Sequence, residues 1–345
     1  MKTDSYAVQS LRAKIMQLDN GIRQRHPFLK YQSLIGVLIA LSASGAFLAS
    51  STLYFYGYLP MVLTIVLNAF FCSFMHELEH DTFHMQYFSN NKFMNNALLM
   101  YCWLFKPNTV NPWVRKKIHL HHHIHSGTQE DIEERLIGNG LPYTLTRFLV
   151  MIDHAFCVTQ FGKLKRESKA FKPHLIVFAL FPMHAIFTVI WLCWAYYYGV
   201  SAVNDVFKTN FQAVALIGSH IGVINFLMVV YVAPALLRSF SLLFITSSIH
   251  YFKGVDSVLK QTQVLTHWYF LPFQLFCCFF GETHSIHHIW VPQPFYLRHL
   301  IRKQSFEFMQ AYGVRFNDLG TFTRQNNYEI ATETVNVPSH KLQIS

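Results

Sequence analysis

Leu59-Pro-Met-Val-Leu-Thr-Ile-Val-Leu-Asn-Ala-Phe-Phe-Cys-Ser-Phe-Met75 runs without interruption into His76-Glu-Leu-Glu-His80-Asp81-Thr-Phe-His84. The first part is apolar, uncharged and as long as the roughly 17 to 25 helical residues that cross a hydrocarbon layer. The second part places imidazoles where that span leaves the membrane. Leu34 to Tyr54, Leu175 to Tyr198 and Ala213 to Leu237 share the same apolar character. Only Phe55 to Tyr58 separate the first two spans, which therefore form a tight helical hairpin. Composition agrees, because only 13% of the 345 residues are charged where a water-soluble domain carries about 25%.

The basic residues give the orientation. Of the 28 Lys and Arg, 6 precede the first span, none lies in the first hairpin turn, 12 fall between spans two and three, 1 in the second turn and 9 after span four. The positive-inside rule puts both termini and the long middle section in the cytoplasm, under a bacterial inner membrane or endoplasmic reticulum. The net charge of +10 then reads as topology and contact with membrane lipid, not as a nucleic-acid footprint. The expected fold is an all-α integral membrane protein: four transmembrane helices in two hairpins, with a cytoplasmic helical cap. Residues 1–33 form a cytoplasmic N-terminal segment, 34–324 one domain, and 325–345 a flexible tail. Phe93 to Phe105, Leu145 to Phe161 and Tyr269 to Phe280 are shorter and read as helices at the interface or on the cap. The six cysteines form no CxxC pair and read as small buried side chains. No apolar run before a cleavage site marks a secretory signal.

Eleven of the 20 histidines fall in three clusters on the cytoplasmic side. They are His76 to His84, His119-Leu-His-His122-His123 with His125, and His284-Ser-Ile-His287-His288. At about 100° per helical residue, His76 and His80 share a face, and His119, His122 and His123 lie within about 100° of arc. His121 and His125 point the other way. Asn111 is a good N-cap with Pro112 at the first helical position, so the second cluster is helical. Eight imidazoles are too many for one metal ion, so two metals follow. Imidazole alone does not choose among zinc, copper, nickel and iron. The bland alternative, adventitious binding by histidine-rich loops, does not explain three spaced clusters on one side of a membrane.

The motifs HELEH, HLHHH and HSIHH resemble the three histidine boxes of the membrane fatty acid desaturase and hydroxylase superfamily. The resemblance covers most of the chain from Leu34 to about His299. It implies a di-iron centre with molecular oxygen as co-substrate, and as ligands His76, His80, His119, His122, His123, His284, His287 and His288. Acyl-CoA desaturases add a histidine after the fourth span, and Thr246-Ser-Ser-Ile-His250 is similar, so His250 is expected as a ninth ligand. Thr246 stands where Asn would be expected.

His84 continues the first face about 6 Å farther along the axis, and ligation, support of a ligand or contact with substrate stay open for it. His184 and His220 fall inside spans three and four, where each is expected neutral and bonded within the bundle. Glu77, Glu79, Asp81, Asp131 and Glu282 are candidates to fix imidazole tautomers. No haem-attachment box, dinucleotide fingerprint or iron–sulfur spacing occurs, so electrons are expected from a separate carrier of the ferredoxin or cytochrome b5 type. The expected activity is oxygen-dependent desaturation of a fatty-acyl chain. Two alternatives use the same metals: hydroxylation, and oxidative decarboxylation of a free fatty acid to a terminal alkene. For the latter, the segments Asn111 to His123 and Gly313 to Phe322 resemble alkene-forming membrane decarboxylases, and Arg115, Lys116 or Lys117 could neutralise the substrate carboxylate. A histidine-rich metal transporter or sensor is the alternative of another class, but it would place ligands within its spans.

Overall fold

The structure, a computed structural model, describes residues 2–328. Among them it is all-helical and contains no strand. The helices used below are α1 (Lys2–Arg25), α2 (Gln32–Phe55), α3 (Met61–Phe83), α4 (Lys92–Leu104), α5 (Pro112–His125), α6 (Ile132–Leu136), α7 (Leu145–Ile152), α8 (Phe161–Glu167), α9 (Pro173–Ala179), α10 (Met183–Phe207) and α11 (Ala215–Ser219). They continue with α12 (Ile221–Ile249), one run that includes a π turn at Met228–Val232, then α13 (Phe280–Ile289) and α14 (Phe295–Ala311). Four are long and apolar enough to cross a membrane: α2, α3, α10 and α12.

Two span limits differ from those expected. The apolar stretch from Leu175 divides into α9 and α10, because Pro173 opens one helix and Pro182 caps the next. Proline favours a helix start, where its missing N–H costs nothing; hydropathy alone runs across the break. The last span begins at Ile221, leaving α11 apart, and continues beyond Leu237 to Ile249. Arg238 therefore lies inside this helix, fully buried and donating to Asn108 Oδ1 at 3.3 Å.

Pro234 sits within α12, where proline removes an i→i−4 hydrogen bond. The Val230 carbonyl loses its ordinary helical donor, and Asn68 Nδ2 of α3 supplies one at 2.9 Å. The same amide donates to Ser51 Oγ at 3.0 Å and accepts from Ser50 Oγ. One buried side chain thus ties α2, α3 and α12 together. Such a bond counts because a buried carbonyl left unpaired costs about 1–3 kcal/mol.

Outside the spans, Leu11, Ile15 and Ile22 of α1 form a core with Ile286 and Ile289 of α13 and Leu297, Ile301 and Met309 of α14. The N-terminal segment is therefore an integral wall of the cap. Arg298 of α14, 1% exposed, donates to Glu77 at 3.0 Å and Asp81 at 3.2 Å, fixing the cap to the end of α3. Asp81 also accepts from Tyr87 Oη and the Phe295 N–H, each at 2.9 Å.

Residues 325–328, expected to open a flexible tail, are packed against the domain. Asn326 is fully buried, its amide bonded to the Ser247 and His250 carbonyls, and Tyr328 N–H donates to Lys253 O. Residues 329–345 of that expectation lie outside the described residues.

Candidate metal centre

Three helices and one helix end bring the imidazoles together. His80 lies near the end of α3 and His84 caps it. His119, His122 and His123 come from α5, His284, His287 and His288 from α13, and His250 caps α12. Asn111 caps α5 through a bond from Trp113 N–H at 3.0 Å, with Pro112 following, as the local sequence predicts. Beyond α5 the chain turns at Gly127, whose φ of +82° suits glycine and where a Cβ would fall 2.6 Å from Val255. That turn delivers Asp131 and α6 back to the imidazoles.

The rings sort into two groups whose ligand atoms lie within 4.8 Å of one another. His80, His84, His119, His123 and His287 form one; His122, His250, His284 and His288 form the other. His76 is in neither. It occupies the face shared with His80 and His84, but one turn deeper along α3, while α5 and α13 converge on the end that carries His80 and His84.

Hydrogen bonds test whether these rings suit metal ions. His119 Nδ1 meets Glu133 at 2.8 Å, His122 Nδ1 meets Asp131 at 2.9 Å, His250 Nδ1 meets the Thr246 carbonyl at 2.9 Å, and His288 Nδ1 meets Gln261 Oε1 at 2.8 Å. Each partner is an acceptor, so each Nδ1 carries the proton and leaves an Nε2 lone pair facing inward. His288 Nε2 then opposes those of His122 and His250 at 3.4 Å, lone pair against lone pair. A cation between them turns that repulsion into ligation. His80 makes the same point, since both of its ring nitrogens are buried without a hydrogen-bond partner. The donor set fits transition-metal ions, which take neutral imidazole.

Burial favours that neutral form in every ring of the two groups except His122. Burial, reinforced by neighbouring rings, holds His84 well below the usual histidine range and takes His250 down to about 3. Burial also acts downward on His122, but the Asp131 carboxylate outweighs it and raises that ring to about 9. His287 differs from the others because Arg298 Nη1 donates to its Nδ1 at 2.9 Å.

Of the candidate carboxylates, Asp131 touches a ring of the two groups through a hydrogen bond. Glu77 and Asp81 belong to Arg298, Glu79 to Lys106 and Arg115, and Glu282 to Arg302 at 3.0 Å. Sequence reasoning missed Glu133, Gln261 and Arg298. The acidic run Glu130 to Glu134 just after the second cluster was a usable signal for Glu133; Gln261 and Arg298 had none. His184 is buried with Nε2 3.0 Å from Asp153, whereas His220 is exposed and bonds the Leu216 carbonyl.

Beside the imidazoles lies a largely apolar cavity of about 70 Å³. His76, Arg115, Glu133, Glu134 and Thr246 line it along with Leu136, Ile137, Ile176, Leu242 and Leu243. Glu133 and Thr246 each bond a ring of the two groups, so this wall of the cavity is one side chain from the site. Arg115 faces the cavity; Lys117 is exposed elsewhere on α5, and Lys116 lies near Met85 at 3.6 Å.

A sequence model described as "Fatty acid desaturase" matches residues 56–320. The chain belongs to the fatty acid desaturase family, whose members are oxidoreductases of fatty-acyl chains in membranes. No curated protein matches it.

Proposed function

We propose that this protein is an oxygen-dependent di-iron desaturase, with one iron held by His80, His84, His119, His123 and His287 and the other by His122, His250, His284 and His288. The observation that carries it is the set of inward lone pairs fixed by acceptors at Nδ1. This assignment replaces His76 by His84 in the expected ligand set. Two irons would supply the reductive activation of oxygen that attack on an unactivated carbon requires. The chain's own residues do the rest. Glu133, Asp131, the Thr246 carbonyl and Gln261 hold His119, His122, His250 and His288 in one tautomer and orientation. The apolar wall of the cavity aligns the acyl chain and excludes water. The cytoplasmic placement of the site follows from the asymmetry of Lys and Arg, and the oxidising chemistry then draws electrons from a separate cytoplasmic carrier.

A second reading uses the same centre. Arg115 puts a guanidinium at the cavity wall beside His76, its Nη1 3.5 Å from Nδ1. A free fatty acid whose carboxylate met Arg115 would be placed for oxidative decarboxylation to a terminal alkene.

The test is expression in a host of known lipid composition, with chromatography of fatty acids and headspace gas. New double bonds establish desaturation, shortened terminal alkenes decarboxylation, and hydroxy acids hydroxylation. Purified protein should hold about two irons per chain; zinc without oxygen consumption would instead support a metal sensor or transporter. His84→Ala should lose about one iron and product formation, while His76→Ala keeps both irons. The reverse pattern would return His76 to the ligand set.

A further inference from the structure

The metal-binding helix α5 has a second face. Lys117, Leu120, His121 and Ile124 recur at i, i+3, i+4 and i+7, the spacing of one helical stripe. They lie on the side opposite His119, His122 and His123. Ile124 is 76% exposed and Leu120 40%, while His119 and His122 are buried. A single helix, about 10–12 Å across with its side chains, is therefore the whole wall between this apolar stripe and the two imidazole groups. The stripe continues into a groove with Lys117, His121 and Lys172 at its edge and Ile132, Phe171 and Ile176 among its apolar lining.

Exposed basic charge predominates around this face, although Glu130 lies beside it. Lys117 and Lys172 stand at the groove, the exposed Lys169 precedes it, and Lys253 sits at the far end of α5, where its N–H bonds the Gly127 carbonyl. The acidic groups close by are engaged: Glu130 accepts from Ser168 Oγ at 2.5 Å, and Glu133 is bonded to His119. Exposed apolar side chains rimmed by charge are the anatomy of a transient docking patch. Complementarity of charge selects a negatively charged partner and speeds its encounter.

We infer that the outward face of α5, centred on Leu120 and Ile124 and rimmed by Lys117, Lys172 and Lys253, docks a small acidic one-electron carrier protein that reduces the metal centre. The inference rests on the oxidative function proposed above. Desaturation removes two hydrogens from the acyl chain while one O₂ becomes two waters, which takes two further electrons and two protons. Each docked carrier is oxidised by one electron, so two encounters serve one turnover, and the protons come from solvent. Docking on α5 puts the donor one helix from the acceptor, without a cofactor in this chain.

The experiment uses the full iron-loaded protein in lipid nanodiscs, with an acidic [2Fe–2S] ferredoxin as probe and dithionite with methyl viologen as a diffusible reductant. Lys117→Glu and Ile124→Glu should each raise the KM for ferredoxin about tenfold, weaken ferredoxin binding in a direct titration, and leave viologen-driven turnover and iron content unchanged. Lys303→Glu, an exposed charge reversal on α14, should change none of these. Rising salt should weaken ferredoxin binding to the unsubstituted protein and have little further effect on the two variants. Equal ferredoxin KM and binding in all three variants would overturn the proposal, as would α5 variants that lose binding to anionic lipid vesicles but not to ferredoxin. Absence of viologen-driven turnover in the unsubstituted protein would count against the oxidative function instead, and the binding titration would still decide whether ferredoxin docks on α5.

Discussion

The four spans are built to different standards. In the most apolar 18-residue windows, 50% of α3 and 61% of α12 are buried within the chain, against 6% of α10. The difference follows what each helix carries. α3 and α12 end in His80, His84 and His250, and both hold buried polar anchors: Asn68 joins them across the bundle, and Glu77 and Asp81 join α3 to Arg298. α10 bears no imidazole of the two groups, and its exposed Ile186, Val189, Leu192 and Trp194 face outward. Rigidity is concentrated where a ligand's position depends on it.

Three substitutions would break or sharpen that contrast. Arg298→Met removes the ion-pair partner of the buried Glu77 and Asp81 and should cost about 3–5 kcal/mol. Detergent-solubilised protein should show this as a lowered unfolding midpoint with loss of bound iron; an unchanged midpoint would mean that the cap is held to α3 by other means. Asn68→Ala strips the donor from Val230 O and should cost about 1–3 kcal/mol in the same assay. Loss of iron without loss of stability would show that the anchor acts only on ligand placement. Val189→Leu on α10 should stay within about 0.5 kcal/mol, and a larger effect would reveal that the exposed face of α10 is packed against a partner chain.

The sequence made the architecture and most of the site legible, for physical reasons that differ by element. Apolar length finds four spans because lipid accepts little else, but it cannot place Pro182 as a boundary inside a continuous apolar stretch. It likewise stops α12 at Leu237, since Arg238 looks like a flank until its burial beside Asn108 is known. Helical spacing separates His119, His122 and His123 from His121 and His125, because both sets ride one helix with a fixed phase. The same argument cannot choose between His76 and His84. Three imidazoles at four-residue steps share one face, and which pair meets the rings of α5 and α13 depends on the height at which those helices arrive. Gln261 and Arg298 are invisible for a related reason: their contacts span sequence separations of 27 and 11 residues to His288 and His287 with no periodic signal between.

α12 runs 29 residues from Ile221 to Ile249, about 43 Å at 1.5 Å per residue, against a hydrocarbon layer of about 30 Å. It is a rod with one end in lipid and His250 fixed on the other. A thicker or thinner bilayer would change the angle at which such a rod leans, and the Asn68 clasp at Val230 resists that lean where α12 meets α3.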